Sequence, residues 1–197
     1  MKKIIAIGLT CLALPLYASD TNTWYFGGQY SAQKISSAPD REIDSLGLIS
    51  GYQINDNLSV EARINHGLSD YSDDFFVLGY GNQQYKEELD KQISLLLKLS
   101  FPISSVLDIY GLAGFTSSKY EITTSSSRTD IGGNTTVHYP HLIKHTQKGA
   151  TYGVGLNYQV SPSFDVYADY QLFDDLKVGS GDGESWKGVN IGMKFKF

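Results

Sequence analysis

Three of the four histidines, His138, His141 and His145, crowd into one stretch, TTVHYPHLIKH. Imidazoles three and four residues apart would share one face of a helix and could hold a metal ion there. Pro140 and the β-branched residues around it argue against a helix, so no metal site is expected. The carboxylates of DDLKVGSGDGES could meet a calcium ion, but they lack the spacing of a known calcium loop and read as a solvated turn. The one cysteine, Cys11, sits in an apolar N-terminal run and offers neither a disulfide nor a thiol to the rest of the chain. No catalytic residue and no cofactor site stands out. What remains is a set of charges, Glu61, Arg63, Lys98 and Asp169, each placed inside an alternating run of apolar and polar residues.

The elements that must position these charges have a period of two. In YGVGLNYQVSPSFDVYADYQL, Tyr152, Val154, Leu156, Tyr158 and Val160 take one parity, and Gly153, Gly155, Asn157 and Gln159 the other. After Ser161-Pro162-Ser163 the pattern resumes with Phe164, Val166, Ala168, Tyr170 and Leu172. This predicts a hairpin with one apolar and one polar face. The unit recurs in LGLISGYQINDNLSVEARI and in LLLKLSFPISSVLDIYGLAGF, with turns at 55–57 and 102–105. Three hairpins make six strands, and TWYFGGQYSA and KGVNIGMKFKF add one at each end. The prediction is an all-β chain of eight antiparallel strands, up and down. Longer polar stretches separate the hairpins at roughly residues 36–42, 69–90, 117–147 and 173–184. Of these, KYEITTSSS and TTVHYPHLIKH alternate well enough to extend the strands that flank them.

Composition narrows the class. The start, MKKIIAIGLTCLALPLYASD, has a basic end, an apolar run and Leu16-Tyr17-Ala18 before Ser19, the form of a secretory signal peptide cleaved after residue 18. Residues 19–197 then form a single domain. Without Lys2 and Lys3 the formal charge goes from −5 to −7, and no basic tract occurs, which argues against a nucleic-acid partner. No later apolar run is long enough for a transmembrane helix. Tyr (14), Gly (20) and Phe (9) are abundant and Pro (5) is scarce, as suits strands with aromatic ends.

Short turns on one side, long connections on the other and apolar runs of about ten residues form the pattern of a transmembrane barrel. The chain resembles the small eight-stranded outer-membrane barrels of Gram-negative bacteria, the OmpA/OmpX-type and opacity-type families, often labelled porin family. The resemblance runs over residues 19–197 as a pattern and is most specific at the C-terminus. There such proteins end in a signal read by the barrel-assembly machinery, and Asn190, Gly192, Phe195 and Phe197 fill its places. It implies a closed eight-stranded antiparallel up-and-down transmembrane β-barrel in the cell outer membrane. A soluble sandwich or lipocalin-like barrel would alternate in the same way. The aromatics on the apolar parity decide for the membrane. Trp24, Phe26, Tyr52, Phe101, Tyr158, Phe164, Phe195 and Phe197 fall near the short turns, and Phe115, Tyr152 and Tyr170 toward the long ones, as two girdles.

The polar parity then faces a narrow lumen. It carries Glu61, Arg63, Lys98, Asp108, Tyr110, Asp165, Tyr167 and Asp169, with Lys194 and Lys196 near the end. Opposite charges at one level of so narrow a space should pair, because an unpaired buried charge costs several kcal/mol. Glu61, Arg63, Lys98 and Asp169 are therefore expected to form a charge network that closes the lumen; a narrow or gated small-solute channel is the alternative. Two eight-stranded barrels of this kind modify lipid A, but their signatures are not met. The nearest His–Ser pair, His66 and Ser69, has the wrong spacing and opposite parity, and no amphipathic helix precedes strand 1. The expectation is a monomeric, non-enzymatic barrel in contact with outer-membrane lipid and lipopolysaccharide. It would take a structural role in the envelope, or a role in adhesion through its extracellular loops.

Overall fold

The computed structural model describes residues 23–36, 40–77, 81–129, 135–176 and 183–197. The signal peptide expected over residues 1–18 lies outside them. Nine strands follow one another: β1 (Thr23–Ser36), β2 (Arg41–Gln53), β3 (Leu58–Gly67), β4 (Asp70–Val77), β5 (Gly81–Pro102), β6 (Leu107–Thr129), β7 (Thr135–Ser161), β8 (Phe164–Leu176) and β9 (Glu184–Lys196). Every neighbouring pair is antiparallel. The sheet runs β3-β2-β1-β9-β8-β7-β6-β5-β4, and β3 also pairs with β5, which closes a ring of eight strands and leaves β4 outside it. β4 is the departure from the eight-strand count: its partner is the upper part of β5, from Val77↔Gly81 to Asp70↔Glu88. The stretch expected as a polar loop at 69–90 is thus a hairpin on top of the ring.

The three expected turns join β2 to β3, β5 to β6 and β7 to β8. At the first, the Asn55 side-chain oxygen accepts from the backbone N–H of Asn57 (3.0 Å) and of Leu58 (2.9 Å), an Asx turn that reverses the chain without glycine. β1 and β9 close the ring from Tyr25↔Lys196 to Ser36↔Ser185, and the Phe197 N–H donates to the Trp24 carbonyl at 2.9 Å.

The strands divide into two levels. In the lower level the apolar parity faces out: Trp24, Leu48, Leu95, Phe115, Tyr152, Ile191 and their neighbours are exposed, Phe115 by 72%. Trp24 packs on Tyr52 (5.0 Å between ring centroids) and Phe164 on Phe195 (4.7 Å) beside the short turns. The outward side changes at Lys34, Asp44, Lys91, Lys119, Lys148, Asp174 and Lys187, which top the apolar belt strand by strand. In the upper level the apolar side chains turn inward instead. Ile35, Ile43, Leu89, Tyr120, Ile122, Phe173, Leu176 and Trp186 form one buried cluster. A bulge between Leu89 and Lys91 makes the switch in β5. Two residues apart on a regular strand they would face the same way; the extra residue sends Leu89 in and leaves Lys91 out.

Candidate functional site

β3 supplies Glu61 and Arg63 to the lumen on alternate positions, and β8 brings Asp169 across from the far wall. The Arg63 Nε donates to Glu61 Oε1 at 2.5 Å, Nη2 to Asp169 Oδ2 at 2.8 Å and Nη1 to Gln29 Oε1 at 3.1 Å. Each nitrogen of the guanidinium thus has a different partner, and the residue is 2% exposed. The second Glu61 oxygen accepts from the Tyr25 hydroxyl at 2.8 Å. Asp169 also accepts from Tyr110 (3.0 Å), Gln171 (3.0 Å) and Asn190 (2.6 Å). Buried charge is tolerated here because its lone pairs and N–H groups are answered by partners.

Of the four charges singled out in the sequence, Glu61, Arg63 and Asp169 are in direct contact. Lys98 takes a different partner, its Nζ standing 3.9 Å from the centre of the Tyr110 ring. Lys194 sits between the Tyr25 and Tyr167 rings at 5.1 and 5.2 Å. Nearer the short turns, Asp165 pairs with Lys196 at 2.9 Å and accepts from Asn157 at 3.1 Å. Tyrosine rings fit so narrow a space because glycines face them. A Cβ on Gly51 would lie 2.1 Å from the Tyr25 ring, and one on Gly192 2.5 Å from the Tyr167 hydroxyl.

Above Arg63 the network passes into amides. Gln29 donates to Asn65 (2.6 Å), Asn65 to Gln92 (3.2 Å) and Gln92 to Ser118 (3.0 Å). Gln33 joins Gln92 (3.0 Å) to the Trp186 indole, which donates to Gln33 Oε1 at 2.8 Å. Trp186, 2% exposed, then lies across the lumen against Phe173 and Tyr120. Beyond it a second charge cluster caps the ring. Arg41 holds Glu87 at 2.6 Å and also contacts Glu184, while Tyr85 and Tyr120 donate to Glu87. Burial works against the Arg41 charge, but Glu87 beside it prevails and holds the guanidinium above its ordinary range. Burial and Glu87 together raise the Tyr85 phenol.

Sequence reasoning missed the amide ladder and the Arg41 cluster. Gln29, Gln33, Asn65 and Gln92 share the inward parity, and that parity was their signal. Arg41, Glu87 and Glu184 sit in the polar stretches 36–42, 69–90 and 173–184, whose composition is that of loops. The histidines lie on a strand: His138, His141 and His145 pair with Ser126, Thr124 and Tyr120. At roughly 3.3 Å per residue, His141 and His145 stand about 13 Å apart. His66 hydrogen-bonds the Asp90 carbonyl (2.5 Å), and Ser69 accepts from the Asp44 N–H (2.7 Å), so these two side chains serve different partners. Among the described residues no group of three or more His, Cys, Asp or Glu side chains could hold a metal ion.

A ring of eight antiparallel strands with an apolar exterior and a charged interior defines a transmembrane β-barrel. Residues 4–197 match the model of the outer membrane protein beta-barrel domain, and the chain belongs to that family. The fold is similar to that of Ail, the attachment invasion locus protein of Yersinia pestis, solved with the heparin analogue sucrose octasulfate. The identity is 16% and the TM-score 0.55, over 90% of this chain and 100% of that one. It is similar also to OprG of Pseudomonas aeruginosa (13%, TM-score 0.52, 90% and 96% covered). Neisserial surface protein A matches at 18% with a TM-score of 0.50, over 88% and 97% of the two chains. No curated protein sequence matches the chain. The family places the protein in the outer membrane, its lower level in lipid.

Proposed function

We propose that the protein is a non-enzymatic, monomeric barrel that anchors an interaction surface on the outside of the cell. The observation that carries this reading is the excess length of β5, β6 and β7, of 22, 23 and 27 residues. A tilted strand needs about 9–11 residues to cross hydrocarbon. About a dozen residues of each therefore stand beyond the lipid, on the side opposite the short turns, and in this class that side is extracellular. There β4, β5, β6 and β7 form an open four-stranded sheet. Among the described residues β7 pairs with β8 only from Tyr152↔Leu172 downward, so above that point its far edge has no strand partner among them. An extended segment of another protein can add to such an edge. At the tip, Phe75 and Phe76 are exposed around a groove shared with Asp74, Gln84 and Ser126.

The lumen supports the same reading over the channel alternative. The proposed role of Glu61, Arg63, Lys98 and Asp169 is to close it, with Trp186 as a second closure above. For Asn190, Gly192, Phe195 and Phe197 we propose recognition by the barrel-assembly machinery after removal of residues 1–18. Two of these have other work in the folded barrel, since Asn190 donates to Asp169 and Gly192 makes room for Tyr167.

Replacing residues 121–144 with Asn-Gly joins Tyr120 to His145, which already face each other, and removes most of the sheet. Cells carrying this variant should lose attachment to matrix-coated surfaces while the barrel stays heat-modifiable. Purified wild-type protein in planar bilayers should give no conductance steps. Attachment at the wild-type level by the shortened protein would sink the interaction reading, and regular steps would favour the channel.

A further inference from the structure

The top of the apolar belt carries an arrangement that a protein alone should avoid. Lys91 on β5 lies directly opposite Lys119 on β6, and Lys148 on β7 lies opposite Ser117, one diagonal step from Lys119. All three side chains are exposed. Like charges directly opposite in a sheet are about 5 Å apart at Cβ and destabilise it. Two other lysines of this face are answered: Lys86 by Glu88 at 2.7 Å, Lys144 by Glu121 at 2.5 Å. Lys34, which opposes Lys187 across β1 and β9, is answered by Asp40 at 2.5 Å. Among the described residues, the side chains of Lys91, Lys119 and Lys148 make neither a hydrogen bond nor an ion pair. Of the carboxylates next up the face, Glu88 and Glu121 are already taken, and Asp90, beside Lys91 in the chain, forms an ion pair with none of the three lysines.

Position says what kind of anion would answer these lysines. Immediately below the three lysines the same parities read Ile93, Ser117 and Ala150, then Leu95, Phe115 and Tyr152. The cluster stands where hydrocarbon gives way to headgroups. An anion held there would therefore sit beside an apolar outer face that continues down through Ile93, Leu95, Phe115 and Tyr152, as a lipid headgroup does and a free anion does not. The bulge at Leu89 and Lys91 adds to the case, because it keeps Lys91 outside while the strand turns its apolar residues in.

We propose that Lys91, Lys119 and Lys148 form a binding site for the phosphates of a lipid in the outer leaflet, a phosphorylated glycolipid whose acyl chains lie along β5–β7. Each lysine near an anionic lipid surface strengthens binding roughly fivefold, and the three together about a hundredfold. The test uses purified full-length barrel and the triple variant Lys91→Gln, Lys119→Gln, Lys148→Gln. Retention of bis-phosphorylated lipid A, and of the same lipid without phosphates, is read by native mass spectrometry. The wild type should retain the phosphorylated lipid preferentially and the variant should lose that preference. A control variant, Lys86→Gln with Lys144→Gln, removes two lysines already paired and should retain it. Thermal unfolding adds a readout of opposite sign. In a zwitterionic detergent the triple variant should melt above the wild type, relieved of repulsion, and lipid A should stabilise the wild type alone. Equal retention by wild type and triple variant, or equal loss in the control, overturns the site. Stabilisation of the wild type by inorganic phosphate to the same extent as by lipid A overturns the assignment to lipid.

Discussion

Leu97 and Leu89 lie on one strand, eight positions apart, and obey opposite rules. Leu97 faces lipid and is 54% exposed to the surroundings of the chain; Leu89 lies inside the ring and is 2% exposed. Around Leu97 the apolar surface is outside and the interior is held by Arg63, Glu61, Asp169 and a ladder of amides. Around Leu89 the interior is packed with Ile35, Ile43, Tyr120, Phe173 and Trp186, while Glu88, Glu121 and Lys144 meet water. The difference teaches where each level gets its stability. In lipid the exterior is solvated by hydrocarbon, so interior polar groups must satisfy one another. Above lipid the exterior is wet and burial of apolar surface again drives packing.

The largest expected effect tests the lower level. Arg63→Ala should lower the unfolding free energy by about 3–5 kcal/mol, because it strands Glu61 and Asp169 without their cation. In a double-mutant cycle with Glu61→Ala, measured by urea unfolding in detergent, the coupling should be well above 1 kcal/mol. A coupling near zero would mean that the contact seen between them is energetically empty.

The upper level should respond to cavities instead. Leu89→Ala should cost about 3 kcal/mol, transfer and cavity terms together. The same substitution at Leu97 leaves no cavity, since lipid or detergent refills the space, and should cost about 1–2 kcal/mol. Equal losses at the two sites would erase the distinction between the levels.

A smaller effect is expected at the end of the chain. Phe197 is an exposed ring in the lower girdle, so Phe197→Ser should cost the refolded barrel about 1–2 kcal/mol. The amount reaching the outer membrane of cells should fall far more, as expected of a residue read during insertion. Normal insertion of this variant would leave Phe197 with a girdle role only. Gly192→Ala separates the two roles in the other direction. Its Cβ would meet Tyr167, so the refolded barrel itself should lose stability.

Alternation alone was enough to place the ring. Strict period two in 152–160 and 164–172, with a turn residue set between them, admits one face in and one face out, and hairpin repetition supplied the strand number. Aromatic placement chose lipid for the outer face. The inward list, from Glu61 to Lys194, followed from parity with no further information. Parity could not see three things. It could not see the bulge at Leu89 and Lys91, because one inserted residue inverts the reading of all that follows, and the upper part of β5 then looks like a polar loop. It could not see the apolar cluster of Ile35, Ile43 and Trp186, because each strand lends only one or two members and they meet only when the ring closes. Nor could it choose partners within the lumen. Glu61 has Arg63 two positions along its own strand, but strand tilt and stagger set Lys98 over Tyr110 and brought Asp169 to Arg63. Periodicity is a property of one strand; which side chains touch across the barrel depends on the registers of all eight.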